Sequence, residues 1–502
     1  MATKPYLFTI LGSILLLFSN CTGEPKNQLY NESAGSGEAI LSIHGSQVND
    51  REYPFIQHIE DTSRLHYGYL PVPENHANPG GREIEIAWAV VKSKVPETEK
   101  YPLIFLTGGP GGETLPMISL LMDFPLTEDR DVILFDQRGI GHSSPLPDFG
   151  EELPGLLAAD LTPEEEYQKL VEILQIYREK SDSLGIGLQY YNTFQNARDI
   201  VSLMEHLDYE KYNIMGVSFG TRLARVTMDL SPELIHSAIL DSPNPFDNDF
   251  ITPRIRSYEQ ALKLVLENCD QDRVCSSTYP DLTSEYLNGV QALKDEPVLV
   301  QTEDLDFYVN AQDAIYLLRY QLYRDDALAG APALIRAIVE RDKDHIKENL
   351  LAAMPIITDG NYSMFLSTER FEHYDPAITR ETLDELYSSM QLYPAPLGFF
   401  TSLYLAAGSW HGHSAEIEEK TFNLSDTPTL IFVNKYDPVT PPANGYIMNE
   451  TLTSGHLLIL DEGGHGGGNM ECKMNVIREF MDKPSVLSGT ECLNLAEMSD
   501  RF

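Results

Sequence analysis

Basic residues are scarce in this chain. Its 502 residues include 36 Lys and Arg against 76 Asp and Glu, a net charge of −40 at pH 7. Such an excess repels phosphate backbones and excludes nucleic acid as a partner, and its plain meaning is a solvated acidic surface. Cysteine is scarce too. The five cysteines, Cys21, Cys269, Cys275, Cys472 and Cys492, have spacings that fit no zinc ribbon. No metal-binding or nucleotide-binding motif is present, so neither a metal nor a cofactor is expected. Internal repeats and long low-complexity tracts are also missing. The apolar run near the N-terminus, Leu7 to Phe18, is 12 residues long. A spanning helix needs about 20, so this run is too short to cross a bilayer and suits a signal-peptide core. What is there is ordinary for a globular protein, with 42% hydrophobic and 10% aromatic residues, enough for a sizeable core. The length suits one large domain with an insertion, or two domains.

The first residues point to export. Lys4 precedes the apolar run, and Ser19 and Asn20 lead from it to Cys21. The arrangement resembles a bacterial lipoprotein signal, in which the cysteine is lipidated and becomes the mature N-terminus. Phe18 and Asn20 depart from its commonest form, and plain secretion with cleavage nearby is the other reading. The expected membrane contact is through this N-terminal lipid alone. With Cys21 set aside four cysteines remain, and an even set in an exported chain favours disulfides. Two local pairs suggest themselves, Cys269–Cys275 and Cys472–Cys492. The sequence carries no signal of oligomeric state.

Organisation follows from composition and periodicity. Residues 1–20 read as a signal peptide and 21–60 as a polar tether and N-terminal extension. "LHYGYLPVP" and "REIEIAWAVVK" alternate like an antiparallel hairpin. Buried-strand candidates follow, each ending in a glycine-rich or polar turn: "YPLIFLTGGPGG", "DVILFDQRGIGHS" and "YNIMGVSFG", then "SAILDSP". Between them Ile200, Leu203, Met204 and Leu207 recur at helical spacing, with Thr193 a plausible N-cap. Strands alternating with helices imply an α/β class with a mostly parallel central sheet. Residues 245–424 read as mainly helical, with no recurring strand–turn signature, and the sheet pattern returns in "TPTLIFVNKYDPVTPP" and "HLLILDEGGHGGG". The expected organisation is therefore a core over 61–244 and 425–502, the latter with a C-terminal disulfide segment, interrupted by an inserted helical cap.

"GVSFG" at 216–220 places Ser218 between an apolar run and a helical pattern. Alone, a serine in a glycine-rich turn says little. In a strand–turn–helix setting it is what a nucleophile elbow requires, because the sharp turn pushes the hydroxyl off the sheet edge. A serine hydroxyl needs a base, and the base needs a carboxylate to orient it. Asp437 and His465 follow later strands, in the chain order Ser, Asp, His that this topology calls for. His142, His411 and His413 are placed less suitably. A developing oxyanion needs two N–H donors. Phe219, next to the nucleophile, and Gly109, in "TGGPGG", are the candidates, and Pro110 fixes that turn at a bond where a cis peptide is accessible.

Together, "GGPGG", "DQRGIGHS", "YNTFQNARDI", "GVSFGTRLA", "DPVTPP" and "GGHG" resemble an α/β-hydrolase of the prolyl aminopeptidase and tripeptidyl aminopeptidase type (peptidase family S33), over roughly residues 65–495. The resemblance implies an α/β-hydrolase fold, a serine exopeptidase acting on peptide N-termini, and a cap over the site. It puts Ser218, Asp437 and His465 on the triad, Gly109 and Phe219 on the oxyanion positions, and the two cysteine pairs on bridges of secreted members. Glu372 falls on a cap glutamate that could hold a substrate's ammonium, with Glu369 in reserve; a structural glutamate is the competing reading. Three positions depart from the pattern: Thr107 replaces a histidine, and Arg370 and Ala407 replace a cysteine pair of the cap. The expected partner is a peptide or small ester. An esterase with the same triad, or a non-catalytic binding lipoprotein, are the alternatives.

Overall fold

β1 (Leu65–Pro73) and β2 (Glu83–Val91) pair antiparallel, from Leu65 opposite Val91 to Pro73 opposite Glu83. The chain then lays down β3 (Leu103–Leu106), β4 (Val132–Phe135), β5 (Tyr212–Val217) and β6 (Ile235–Asp241). It leaves the sheet to make a separate antiparallel hairpin, β7 (Val298–Gln301) with β8 (Asp306–Val309), and returns with β9 (Thr429–Asn434) and β10 (Gly455–Leu460). The central sheet runs β1-β2-β4-β3-β5-β6-β9-β10, antiparallel at the β1–β2 and β2–β4 junctions and parallel elsewhere. This computed structural model describes residues 52–303 and 305–496. The signal-like segment, Cys21 and most of the tether lie outside the described residues.

The strand sequences explain the layering. β3, β4 and β9 are buried at every position, as parallel strands covered on both faces must be. Alternate residues go to opposite faces. Ile104, Ile133 and Ile214 pack with Leu203, Leu223 and Met448 on one side. Leu103, Val132 and Met215 pack with Ile118, Val476 and Phe480 on the other. The helix Thr193–Leu207 buries Ile200, Leu203 and Met204 as its periodicity requires. Its N-cap is Asn192, whose side chain accepts from Gln195 N, and Thr193 is the first helical residue. Such a cap contributes about 1 kcal/mol.

The cap differs from the expected single helical insertion in two ways. It contains the β7–β8 hairpin. It also draws on a second segment, between β4 and β5: Leu153 from the helix Leu153–Ala158 and Leu170, Leu174 and Tyr177 from the helix Pro163–Ser183 share one core with Leu262, Leu318 and Leu403. Cys269–Cys275 joins the helix Thr252–Gln271 to the helix Arg273–Thr278, and Cys472–Cys492 ties the helix Met470–Asp482 to the C-terminal segment. Among the described residues no helix is long and apolar enough to cross a membrane.

Candidate active site

β5 ends at Val217, Ser218 follows, and the helix Phe219–Leu230 begins at once. Ser218 has φ 57° and ψ −124°, a conformation costly for a non-glycine residue, of order 1–3 kcal/mol. The flanking glycines make the turn sterically feasible. A Cβ on Gly216 would lie 2.2 Å from Gly220 O, and one on Gly220 would lie 2.2 Å from Leu106 O. Ser218 N–H donates to Asp241 O at 2.9 Å, which pins the turn to β6. Phe219 is buried and opens the helix, so its N–H is one of the donors that helix geometry leaves without an intrahelical partner.

His465 and Asp437 meet behind this turn. His465 Nδ1 lies 2.8 Å from Asp437 Oδ2, and both side chains are buried. The other Asp437 oxygen accepts from Val439 N and Thr440 N, and Thr440 Oγ1 donates to Asp437 Oδ2 at 2.7 Å. Burial alone would raise the Asp437 pKa, but His465 and these Thr440 bonds outweigh it and hold the carboxyl below its ordinary value. The result is a fixed acceptor that orients one ring nitrogen and leaves the other toward the cavity. Lys473 supports the histidine loop from below: its ammonium donates to Asp241 Oδ2 at 2.6 Å and to Gly466 O and Gly467 O.

The glycine-rich turn after β3 closes the near wall. Gly109–Pro110 is a cis peptide. A Cβ on Gly108 would lie 2.9 Å from Ser218 Cβ, so only glycine lets the turn pass this close. Asp136 holds the turn from the next strand end, accepting from Thr114 N, Leu115 N and His142 N. Asn361 N donates to Gly111 O, which docks the cap on it. Ser218, His465, Gly108 and Gly109 all line one cavity of about 210 Å³ between sheet and cap. Ser218 is 8% exposed. Glu113 lines it too; burial, then Asp136 and Asp359, push its carboxyl up to about 7.

Glu372 is not in this cavity, which corrects the sequence expectation. Its Oε1 accepts from Thr193 N at 2.7 Å, and its Oε2 accepts from Thr193 Oγ1 and from Arg222 at 2.9 Å each. Those three bonds engage both carboxylate oxygens in a buried contact between cap and core, away from the residues that line the cavity. Glu369 in turn lies 2.9 Å from His373 Nδ1 and 3.7 Å from Arg222. Where the family pattern has a cap cysteine, Arg370 lies over the Tyr374 ring and donates to His413 O and Ser414 Oγ. The structure therefore brings Ser218, His465, Asp437, Gly109 and Phe219 together and leaves Glu372 and Glu369 apart. Sequence reasoning missed Thr440, Lys473, Glu113 and the cavity arginines Arg254 and Arg319. Thr440 was within reach, since "DPVT" puts a hydroxyl three residues after the aspartate.

A family described by its alpha/beta hydrolase fold matches residues 101–268, which carry β3 to β6, and a family described as TAP-like protein matches residues 405–492, which carry β9 and β10. The tripeptidyl aminopeptidase of Streptomyces lividans is 30% identical over 186 residues, 35% of this chain and 34% of that protein. The proline iminopeptidase of Lactobacillus acidophilus is 30% identical over 146 residues, 29% of this chain and 36% of that protein. YuaR of Escherichia coli K12 is 24% identical over 452 residues, 82% of this chain and 85% of its own length. The match spans about a third of the length of the two peptidases. Both matched segments coincide with the strands whose ends carry the site; the chain has the α/β-hydrolase fold, and its C-terminal core segment is similar to the TAP-like type.

Proposed function

We propose that the protein is a serine hydrolase that releases residues or short peptides from peptide N-termini through an acyl-enzyme. The observation that carries this reading is Ser218 on a strained elbow, opening on the same cavity as a histidine whose far nitrogen is held by a buried aspartate. Ser218 Oγ attacks the scissile carbonyl while His465 Nε2 takes its proton. The oxyanion forms against the N–H groups of Phe219 and Gly109. His465 then gives the proton to the leaving amine as the C–N bond breaks. Water attacks the acyl-enzyme, losing a proton to the same nitrogen, and the proton returns to Ser218.

Two findings favour an N-terminal peptidase within this class. The similar proteins include a tripeptidyl aminopeptidase and proline iminopeptidases. Carboxylates that could pair with a free ammonium, Glu113 and Asp359, line the cavity itself. An esterase would run through the same acyl-enzyme, so the triad does not separate the two. A panel of chromogenic substrates does: peptides with free N-termini, the same peptides N-acylated, and short-chain esters. The reading expects free-amine peptides to be preferred over their acylated partners. Ester turnover without any peptide turnover would replace it with the esterase reading.

A further inference from the structure

The cavity over Ser218 holds more positive charge than acyl transfer uses. Arg254, on the helix Thr252–Gln271, and Arg319, on the helix Ala311–Tyr323, both line it. Their surroundings differ. Arg254 lies 4.0 Å from Glu369 and donates to Phe250 O, so its charge is met within the cap. Arg319 is 1% exposed, and its Nε and Nη1 have no hydrogen-bond partner among the described residues. Aromatic rings approach it instead: the Tyr323 and Phe400 centroids each lie 5.2 Å from its guanidinium carbon. A ring face attracts the cation but accepts none of its in-plane N–H bonds. Donors left bare in a buried site carry their full desolvation cost. The chemistry that satisfies a planar guanidinium fork best is a carboxylate.

Position gives this carboxylate a place in the substrate. The Tyr323 ring also stands edge-on to the His465 ring, with centroids 5.1 Å apart. Arg319 therefore sits on the histidine side of the cavity, where the leaving amine receives its proton. We propose that Arg319, flanked by Arg254, is a carboxylate-binding subsite for the departing portion of the substrate. The preferred substrates are then short peptides whose leaving portion carries a free carboxylate near the scissile bond, either the chain terminus or an acidic side chain. The proposal rests on the acyl-transfer reading above and narrows it. Glu113 and Asp359 line the same cavity, so a short zwitterionic peptide meets groups of both signs there.

The test compares kcat/KM for matched peptides of the wild-type protein and of Arg319→Met. One pair differs only in a C-terminal carboxylate against its amide; a second, amidated at the C-terminus, carries Glu against Gln in the leaving position. The wild type is expected to favour the carboxylate member of at least one pair by roughly 10–100-fold, the size of a charge-assisted hydrogen bond, and the pair affected identifies the source of the carboxylate. In Arg319→Met, with folding checked by its melting temperature, that ratio falls toward one, and Arg319→Lys restores part of it. A parallel arm needs no peptide turnover. Butyrate and butyramide compete against a p-nitrophenyl ester, and butyrate binds tighter by a similar factor in the wild type only. Equal handling of acid and amide by the wild type in both arms overturns the subsite, as does a ratio that survives in Arg319→Met. Turnover of esters but of no peptide overturns the peptidase reading instead, and the butyrate arm then still decides for or against the subsite.

Discussion

Glu113 is the cavity carboxylate that the proposed N-terminal peptidase reading sets against a substrate's ammonium. Burial, helped by Asp136 and Asp359, lifts its carboxyl to about 7. Below that value it is neutral and offers an ammonium little; above it the carboxylate is ionised. A peptide's own α-amino group loses its proton near about 8. The ratio of kcat/KM for a free-amine peptide to that for its N-acylated partner is therefore expected to rise through pH 7 and fall again past pH 8. The ratio removes His465, which serves both substrates. A flat ratio across that range would show that Glu113 does not read the ammonium. Nothing in "GGPGGET" announced this raised carboxyl, because the shift comes from burial first and then from Asp136 and Asp359, all of which exist only in the folded chain. Arg319 was hidden for the same reason: its helix reads as ordinary cap, and its missing partners are a property of the cavity, not of the segment.

At the scale of elements, the elbow was the most legible feature. A side chain on Gly216 would strike the helix backbone at Gly220, and one on Gly220 would strike the end of β3 at Leu106, so both glycines of the pattern have a geometric reason. Glu372 was misread because its contacts are made between elements distant in sequence. The helix Tyr362–Glu372 delivers a carboxylate to the N-terminus of the helix Thr193–Leu207, where positive dipole ends collect, and to Arg222 of the helix after Ser218. It is thus a clamp between cap and core. Glu372→Gln should leave Arg222 without its closest carboxylate and cost about 3 kcal/mol or more, the usual result of removing one partner from a buried pair. Urea unfolding measures this. The selectivity between free-amine and acylated peptides should stay as in the wild type, because Glu372 does not face the cavity. A selective loss on free-amine peptides with unaltered stability would return Glu372 to the binding role.

For the whole molecule, the parallel sheet, the interrupting cap and the two disulfides could be read from strand–turn spacing, the change to helical periodicity and an even cysteine count. The cap's second segment could not. The helices Leu153–Ala158 and Pro163–Ser183 look like any crossover between parallel strands, and only the shared core of Leu170 and Leu174 with Leu318 and Leu403 assigns them to the roof. That roof closes the cavity over a serine whose assignment as the nucleophile carries the account. The direct test pairs activity with covalent labelling. Wild-type protein treated with a fluorophosphonate is expected to gain one label, located by peptide mass spectrometry on Ser218. Purified Ser218→Ala is expected to take no label, keep the wild-type circular dichroism spectrum, and lose hydrolysis by on the order of 10⁴-fold or more. Near-normal hydrolysis by folded Ser218→Ala, or a label that sits on another residue, would contradict the account.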